Sequence, residues 1–224
     1  MSRYAEIYQG WMNNREGFWA GAAKDIDWVK PWDAVQAKVD GLDRWFVGAQ
    51  CNTCWNAVDR HVKAGHGERL AIIYDSAMTS TKQHFTYAQV QDEVARLAGA
   101  LQDMGVAKGD RVILYMPMIP QALFGMLACA RIGAIHSVVF GGFAAAELAT
   151  RINDAKPKVI LTASCGLEPG RVIAYKPLVD HAIELSHHKP DNVVLFQRPE
   201  VQADMGANDL DWQSLVASQT RKAE

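Results

Sequence analysis

The chain has 224 residues, 49% of them hydrophobic, which is enough to bury a sizeable core and excludes a disordered chain. Its formal charge of -2 gives no reason to expect a nucleic acid or an anionic membrane as partner. The length suits one α/β domain, or such a domain with a small appendage.

Six tryptophans, Trp11, Trp19, Trp28, Trp32, Trp45 and Trp55, fall in residues 1–60. Trp28-Val29-Lys30-Pro31-Trp32-Asp33 reads as extended or turn, because the residue before a proline is pushed out of the α region. The segment therefore reads as an arm whose large rings dock by burying apolar area. Asn52–Val62 is predicted helical, with His61 near its end. Leu70–Asp75 is a strand by its β-branched content, and Ser76–His84 a polar turn. Phe85–Gly105 carries the clearest helical signal. Thr86 and Gln89 have capping-box spacing, Phe85 and Val90 hydrophobic-staple spacing, and Gly105 suits a left-handed cap. Val90, Val94, Leu97, Leu101 and Met104 make its apolar stripe.

Residues 109–142 then read as strand, helix, strand. Val112–Met116 is short and apolar, Pro120 lies where a first helical turn begins, Gly133 closes the helix, and Ile135–Phe140 is the second strand. Two strands joined by a helix imply parallel pairing. Val112–Ala130 is uncharged and long enough to span a bilayer, but Pro117, Pro120, Gln121 and the change of period inside it speak against a membrane segment. Ala144–Asp154 is the next helix, Pro157–Thr162 a buried strand, Ser164–Arg171 a loop, Pro177–His187 a helix and Val193–Phe196 a strand. Asp211–Arg221 begins another helix. The alternation from residue 70 onward predicts a doubly wound, mostly parallel α/β sheet preceded by an N-terminal arm.

Ligands of open α/β sheets gather beyond the carboxyl ends of the strands. Two segments lie there. Phe140-Gly141-Gly142-Phe143 lets backbone approach a ligand closely, and Glu168-Pro169-Gly170-Arg171 offers a permanently charged guanidinium suited to phosphate. A tight turn and a solvated arginine are the plainer readings of the same residues. There is no G-x-x-x-x-G-K-[ST] loop, no G-x-G-x-x-G after a strand, no G-x-S-x-G elbow and no cluster with metal spacing. No catalytic residue and no metal ligand is assigned. Cys51 and Cys54 form an isolated C-x-x-C, read as buried packing, since Cys129 and Cys165 stand alone. The opening MSRYAEIY lacks a basic-then-apolar signal pattern, so a reduced, cytoplasmic setting is expected.

Trp28-x-x-Pro31-Trp32-Asp33, Trp45-Phe46, Asn56–His61, Gly109–Val112 and above all Tyr115–Phe143 closely resemble the N-terminal part of the AMP-forming short-chain acyl-CoA synthetases, the group that includes acetyl-CoA synthetase. Leu167–Arg171 with Tyr175-Lys176-Pro177-Leu178 is more similar to propionyl-CoA than to acetyl-CoA synthetases. The resemblance implies that residues 1–60 are the N-terminal region of such an enzyme and 61–224 the truncated start of its AMP-binding domain. It implies a two-step ligase: ATP, with Mg²⁺ on its phosphates, activates propionate, acetate or a similar short-chain carboxylic acid as an acyl-adenylate, and coenzyme A then displaces AMP. It places Phe140, Gly141 and Gly142 against the adenine of coenzyme A, and Glu168, Gly170 and Arg171 in a loop that is usually Arg-x-Gly-Arg. Arg171 matches the second arginine; Glu168 replaces the first and removes a positive charge. The family's phosphate loop, acyl pocket, ribose-binding aspartate and catalytic lysine have no counterpart in this sequence. The resemblance thus implies an N-terminal fragment that forms no adenylate alone; a non-catalytic binding module and an acetate-specific synthetase are the alternatives, and no oligomeric state is implied.

Overall fold

The computed structural model describes residues 2–220 and residue 223. The chain divides into two units, Met1–Asn56 and Ala57–Glu224.

The first unit holds more regular structure than an arm. Helices α1 (Arg3–Asn13) and α2 (Arg15–Ala22) are joined at Asn14, whose side chain accepts from Gly17 N at 2.9 Å and so caps α2. Strands β1 (Ala34–Val39) and β2 (Leu42–Val47) form an antiparallel hairpin. Its turn residues, Asp40 and Gly41, have φ of 52° and 77°, the positive pair that a two-residue hairpin needs and that Asp-Gly supplies. The rings of Trp28, Trp32 and Phe46 meet with centroids 5.3–5.5 Å apart. The helix expected at 52–62 forms as two π-helical turns, Trp55–Asp59 and Val62–His66. The Cys51-x-x-Cys54 pair splits: Cys54 is buried and Cys51 is exposed, so packing accounts for only one of the two.

The second unit, which begins within the first of the two π-helical turns, continues with a hairpin, β3 (Leu70–Ser76) and β4 (Thr81–Thr86), then α3 (Tyr87–Asp103). The polar stretch before Phe85 is therefore a strand rather than a turn; its side chains face water, which hides it from apolar patterning. The capping box on α3 is formed in both directions between Thr86 and Gln89, and Gly105 has φ 79°. There follow β5 (Arg111–Met116), α4 (Pro120–Ile132), β6 (Ile135–Phe140), α5 (Ala145–Ala155) and β7 (Val159–Ala163). The segment expected as a loop after β7 is a hairpin, β8 (Cys165–Glu168) and β9 (Arg171–Ala174). Helix α6 (Lys176–Leu185), β10 (Asn192–Phe196), β11 (Asp209–Asp211) and α7 (Trp212–Ser218) complete the unit.

Five strands form one parallel sheet in the order β11-β10-β7-β5-β6. The first strand of the five, β5, thus lies between the second and the third, and the chain reverses its direction of travel there. Such a reversal opens a crevice at the carboxyl ends of the strands. Strands β5 and β7 are buried on both faces. Ile113, Tyr115 and Ile160 point to one face and pack with Leu148, Ala149 and Ile152 of α5 and Val179 and Ala182 of α6. Leu114 and Leu161 point to the other, where α4 lies so close that a Cβ on Gly125 would meet Leu161 Cδ1 at 2.9 Å. The Arg131 guanidinium of α4 forks onto the Asp59 carboxylate at 2.8 Å on both nitrogens, with Gln91 Nε2 at 2.7 Å, a buried pair with its lone pairs taken up. Strand β6 is an edge, and its Ile135, Val138 and Phe140 are exposed. No helix among the described residues is long and apolar enough to cross a membrane.

The Tyr115 hydroxyl ends this layout. It shares its proton between the carbonyls of Gly141 at 3.0 Å and Phe143 at 2.8 Å, tying the end of β5 to the turn after β6. Burial, and then the neighbouring Tyr175, push its pKa up to about 12. The neutral phenol is the form the fold favours, so this contribution is whole below pH 10 and is lost as pH rises from 10 to about 12. Tyr115→Phe is expected to cost about 2 kcal/mol at neutral pH through two orphaned carbonyls, and to shrink the alkaline loss of stability, in urea unfolding followed across pH. An unchanged alkaline limb in the variant would contradict this role for Tyr115.

Candidate functional site

The carboxyl ends of β5 and β6, the hairpin β8–β9 and the loop between β3 and β4 enclose a cleft of about 630 Å³. Phe140, Gly141, Gly142 and Glu168 all line it. A shallower continuation of about 590 Å³ shares Met78, Leu167 and Glu168 with it and is lined by Gly170 and Arg171. All six residues singled out at the strand ends therefore face one continuous groove, although the two segments lie far apart in sequence.

The glycines shape the floor. A Cβ on Gly141 would come within 2.3 Å of the Tyr175 hydroxyl, and so would a Cβ on Gly166. A Cβ on Gly142 would come within 2.6 Å of the Phe140 ring. Both backbone segments thus press against aromatic rings where no side chain fits. The Phe140 ring is 72% exposed and meets Phe143 edge to face at 5.8 Å. Met116, Met118, Ile119 and Leu167 add apolar wall. This part of the groove suits a flat, largely apolar ring, with a free aromatic face to stack on.

The mouth is charged. Glu168 and Arg171 are paired ends of the β8–β9 hairpin, with Pro169 and Gly170 (φ 77°) at its tip. Arg171 donates to Glu168 Oε2 from Nε at 2.8 Å and from Nη2 at 2.5 Å. Both side chains are exposed to water, where such a pair contributes between zero and about 1 kcal/mol. A phosphate accepting two charge-assisted hydrogen bonds competes well with that, so Arg171 is held in place by Glu168 yet open to an anionic ligand.

Two lining residues were not among those picked from the sequence. Tyr175 is 6% exposed and packs tilted against Tyr115, ring centroids 5.0 Å apart; burial first, and then the Glu168 charge, raise its pKa. Arg198 is also 6% exposed, donates from Nη1 to the Cys165 carbonyl at 3.2 Å, and lies 3.4 Å from Glu200. Arg198 follows the strand Asn192–Phe196, so the rule of strand carboxyl ends could have found it. Tyr175 gives no local signal, because its neighbours Gly141 and Gly166 are distant in sequence. The Cys165 thiol is raised in pKa by burial and is poorly suited to attack. Among the described residues no three His, Cys, Asp or Glu side chains gather as a metal ligand set. Among the described residues of the groove no nucleophile is paired with a base.

Comparison with known proteins adds the following. Residues 58–222 match the family described as AMP-binding enzyme, and residues 4–57 the family described as acetyl-coenzyme A synthetase N-terminus. The human acyl-CoA synthetase short-chain family member 3, mitochondrial, is 50% identical over 96% of this chain and 32% of its own length. An uncharacterized protein of Pseudomonas aeruginosa is 54% identical over 90% of the chain and 32% of its own length. The propionate–CoA ligase of Escherichia coli is 44% identical over 95% of the chain and 34% of its own length. The chain thus spans about a third of the length of the curated relatives it matches. The solved acetoacetyl-CoA synthetase from Streptomyces lividans superposes on all of the chain and 34% of that protein, with TM-score 0.86 at 24% identity, which shows the same fold.

The glycine floor is testable without any ligand. Gly166→Ala is expected to cost about 1–3 kcal/mol in denaturant unfolding, because the new methyl meets the buried Tyr175 ring. In a Tyr175→Ala background most of that penalty should vanish, a coupling well above the additive limit. Additive losses would show that the ring does not set the requirement for glycine.

Proposed function

The chain belongs to the AMP-binding enzyme family, and we propose that it is the coenzyme-contacting N-terminal part of a ligase joining a short-chain carboxylic acid to coenzyme A through an acyl-adenylate. A carboxylate resists nucleophiles because its charge is delocalised. ATP converts it to an acyl-adenylate with release of pyrophosphate, and AMP is then a good leaving group for the coenzyme thiol. Such a reaction depends on positioning and on stabilising charge. This chain's share is positioning.

One observation carries the reading: Phe140–Gly142 and Glu168–Arg171 converge on one groove with an apolar slot and a cationic mouth. The residues fit the coenzyme's nucleotide end. The glycine segments lie against the Tyr175 and Phe140 rings with no room for a side chain, the Phe140 face is open for an adenine, and Arg171 can take a phosphate. Glu168 weakens that last contact, since the coenzyme must displace it. ATP and Mg²⁺ are used by the complete ligase. No described residue offers a donor set for Mg²⁺ or a phosphate loop for ATP, so no step here runs through either.

Propionate is the acid we favour. The support is the sequence around Leu167–Leu178 and the likeness to a protein named propionate–CoA ligase. Residues forming an acyl pocket are not part of this sequence, so acetate remains the nearest competitor.

In the complete ligase, Arg171→Ala is expected to raise the dissociation constant for coenzyme A about tenfold, one charge-assisted contact less the competition from Glu168, and to leave that for ATP within twofold. Equal effects on both ligands would refute the assignment. The 224-residue chain alone, given ATP, Mg²⁺, propionate and radiolabelled pyrophosphate, is expected to show no exchange of label into ATP. Clear exchange would place the adenylating machinery within these residues.

A further inference from the structure

The Tyr175 hydroxyl is a polar group in the groove lining that lacks a hydrogen-bond partner among the described residues. The residue is 6% exposed, and a buried hydroxyl normally finds a partner. Tyr115, packed at a tilt against it, donates to two carbonyls, whereas the Tyr175 hydroxyl has no hydrogen-bond partner among the described residues. Among those residues the one fully enclosed side-chain oxygen or nitrogen without a partner is Thr79 Oγ1. The Tyr175 oxygen is therefore not fully enclosed, and the residue lines the cleft. It sits in the floor, beside both Gly141 and Gly166.

We propose that the Tyr175 hydroxyl is a ligand contact that hydrogen-bonds the polar edge of the coenzyme's adenine base while Phe140 covers a face of the ring. The proposal rests on the coenzyme reading above and adds a residue and a role to it. The neighbouring charges select the partner. Glu168 and Arg198 both line the cleft, and their opposite charges offset each other at the Tyr175 phenol, so the slot favours a neutral group and the phosphates are left to Arg171 at the mouth. A neutral, flat heterocycle is such a group. Its plane fits a floor of glycine backbone, and its edge offers an amino donor beside a ring-nitrogen acceptor. A hydroxyl can answer either one. The phenol is neutral at working pH, since burial holds its proton on, so it can also donate. Arg198, anchored by the Cys165 carbonyl and 3.4 Å from Glu200, also lines the cleft.

The test uses the complete ligase and two probes. One is coenzyme A; the other is 4′-phosphopantetheine, which carries the reactive arm without the nucleotide. Tyr175→Phe removes one neutral hydrogen bond to ligand and none within the protein. It is expected to raise the dissociation constant for coenzyme A about three- to tenfold, to leave that for 4′-phosphopantetheine unchanged, and to leave the melting midpoint unchanged. Unchanged affinity for coenzyme A overturns the proposal. Equal weakening of both probes, or a melting midpoint lowered by several degrees, also overturns it, because either would mark a structural role. Arg171→Ala, measured alongside, separates the two levels. If it weakens coenzyme A and Tyr175→Phe does not, the Tyr175 contact falls and the site stands; if neither variant weakens coenzyme A, the site assignment falls with it.

Discussion

The hydrogen bonds from Tyr115 to the carbonyls of Gly141 and Phe143 hold the rest of the site in place. Strand β5 is central, buried on both faces and paired with β6 and β7, so its last residues are among the most fixed points in the chain. The turn after β6, an edge strand, is also held by the Phe143 N–H donating to the Phe140 carbonyl at 3.1 Å and by the Phe143 ring packing on the core. The phenol transfers the rigidity of the centre to that turn. Its ring also backs Tyr175, which in turn fills the space left by Gly141 and Gly166. Two glycine-bearing segments, two tyrosines and the strand reversal at β5 thus form one assembly. A change at any member reaches the cleft floor.

Electrostatics in the groove are graded. At the mouth, Glu168 and Arg171 neutralise each other in water, where their attraction is weak and easily exchanged for a ligand's. Deeper in, Arg198 is buried and already committed to a carbonyl and a carboxylate. Elsewhere the buried pairs are structural: Arg131 with Asp59 joins α4 to the helical turn before it, and Lys176 with Asp180 and Asp209 joins α6 to β11. Breaking such a pair from one side strands a buried charge and costs about 3–5 kcal/mol, whereas breaking the Glu168–Arg171 pair costs little. That asymmetry leaves the pair at the mouth free to exchange partners and the others not.

Much of the sheet was legible from local chemistry. Pro120 begins α4, Gly133 ends it with φ 71°, and the Thr86–Gln89 capping box starts α3, each as the residue types require. The doubly wound parallel sheet follows from strands and helices alternating after residue 70. What escaped were hairpins and the short edge strand β11. Strand β4 is polar and exposed, β8 and β9 have four residues each, and β11 has three, all too short or too wet for a periodic pattern. Asp40-Gly41 was an available turn signal that the tryptophan-rich composition around it obscured. At the site, the rule that ligands gather at strand carboxyl ends pointed to Phe140–Gly142 and Glu168–Arg171. The partnership of Tyr175 with two distant glycines is a product of tertiary packing and has no trace in the neighbouring sequence.

The central claim is that the groove between β6 and the β8–β9 hairpin receives the nucleotide end of coenzyme A. Photolabelling of the complete ligase with 8-azido coenzyme A, followed by peptide mapping, addresses it most directly. The account predicts label concentrated in the peptides carrying Val138–Phe143 and Gly166–Tyr175, and suppressed by excess unlabelled coenzyme A. Label confined to peptides outside these two segments, and equally suppressed, would contradict it.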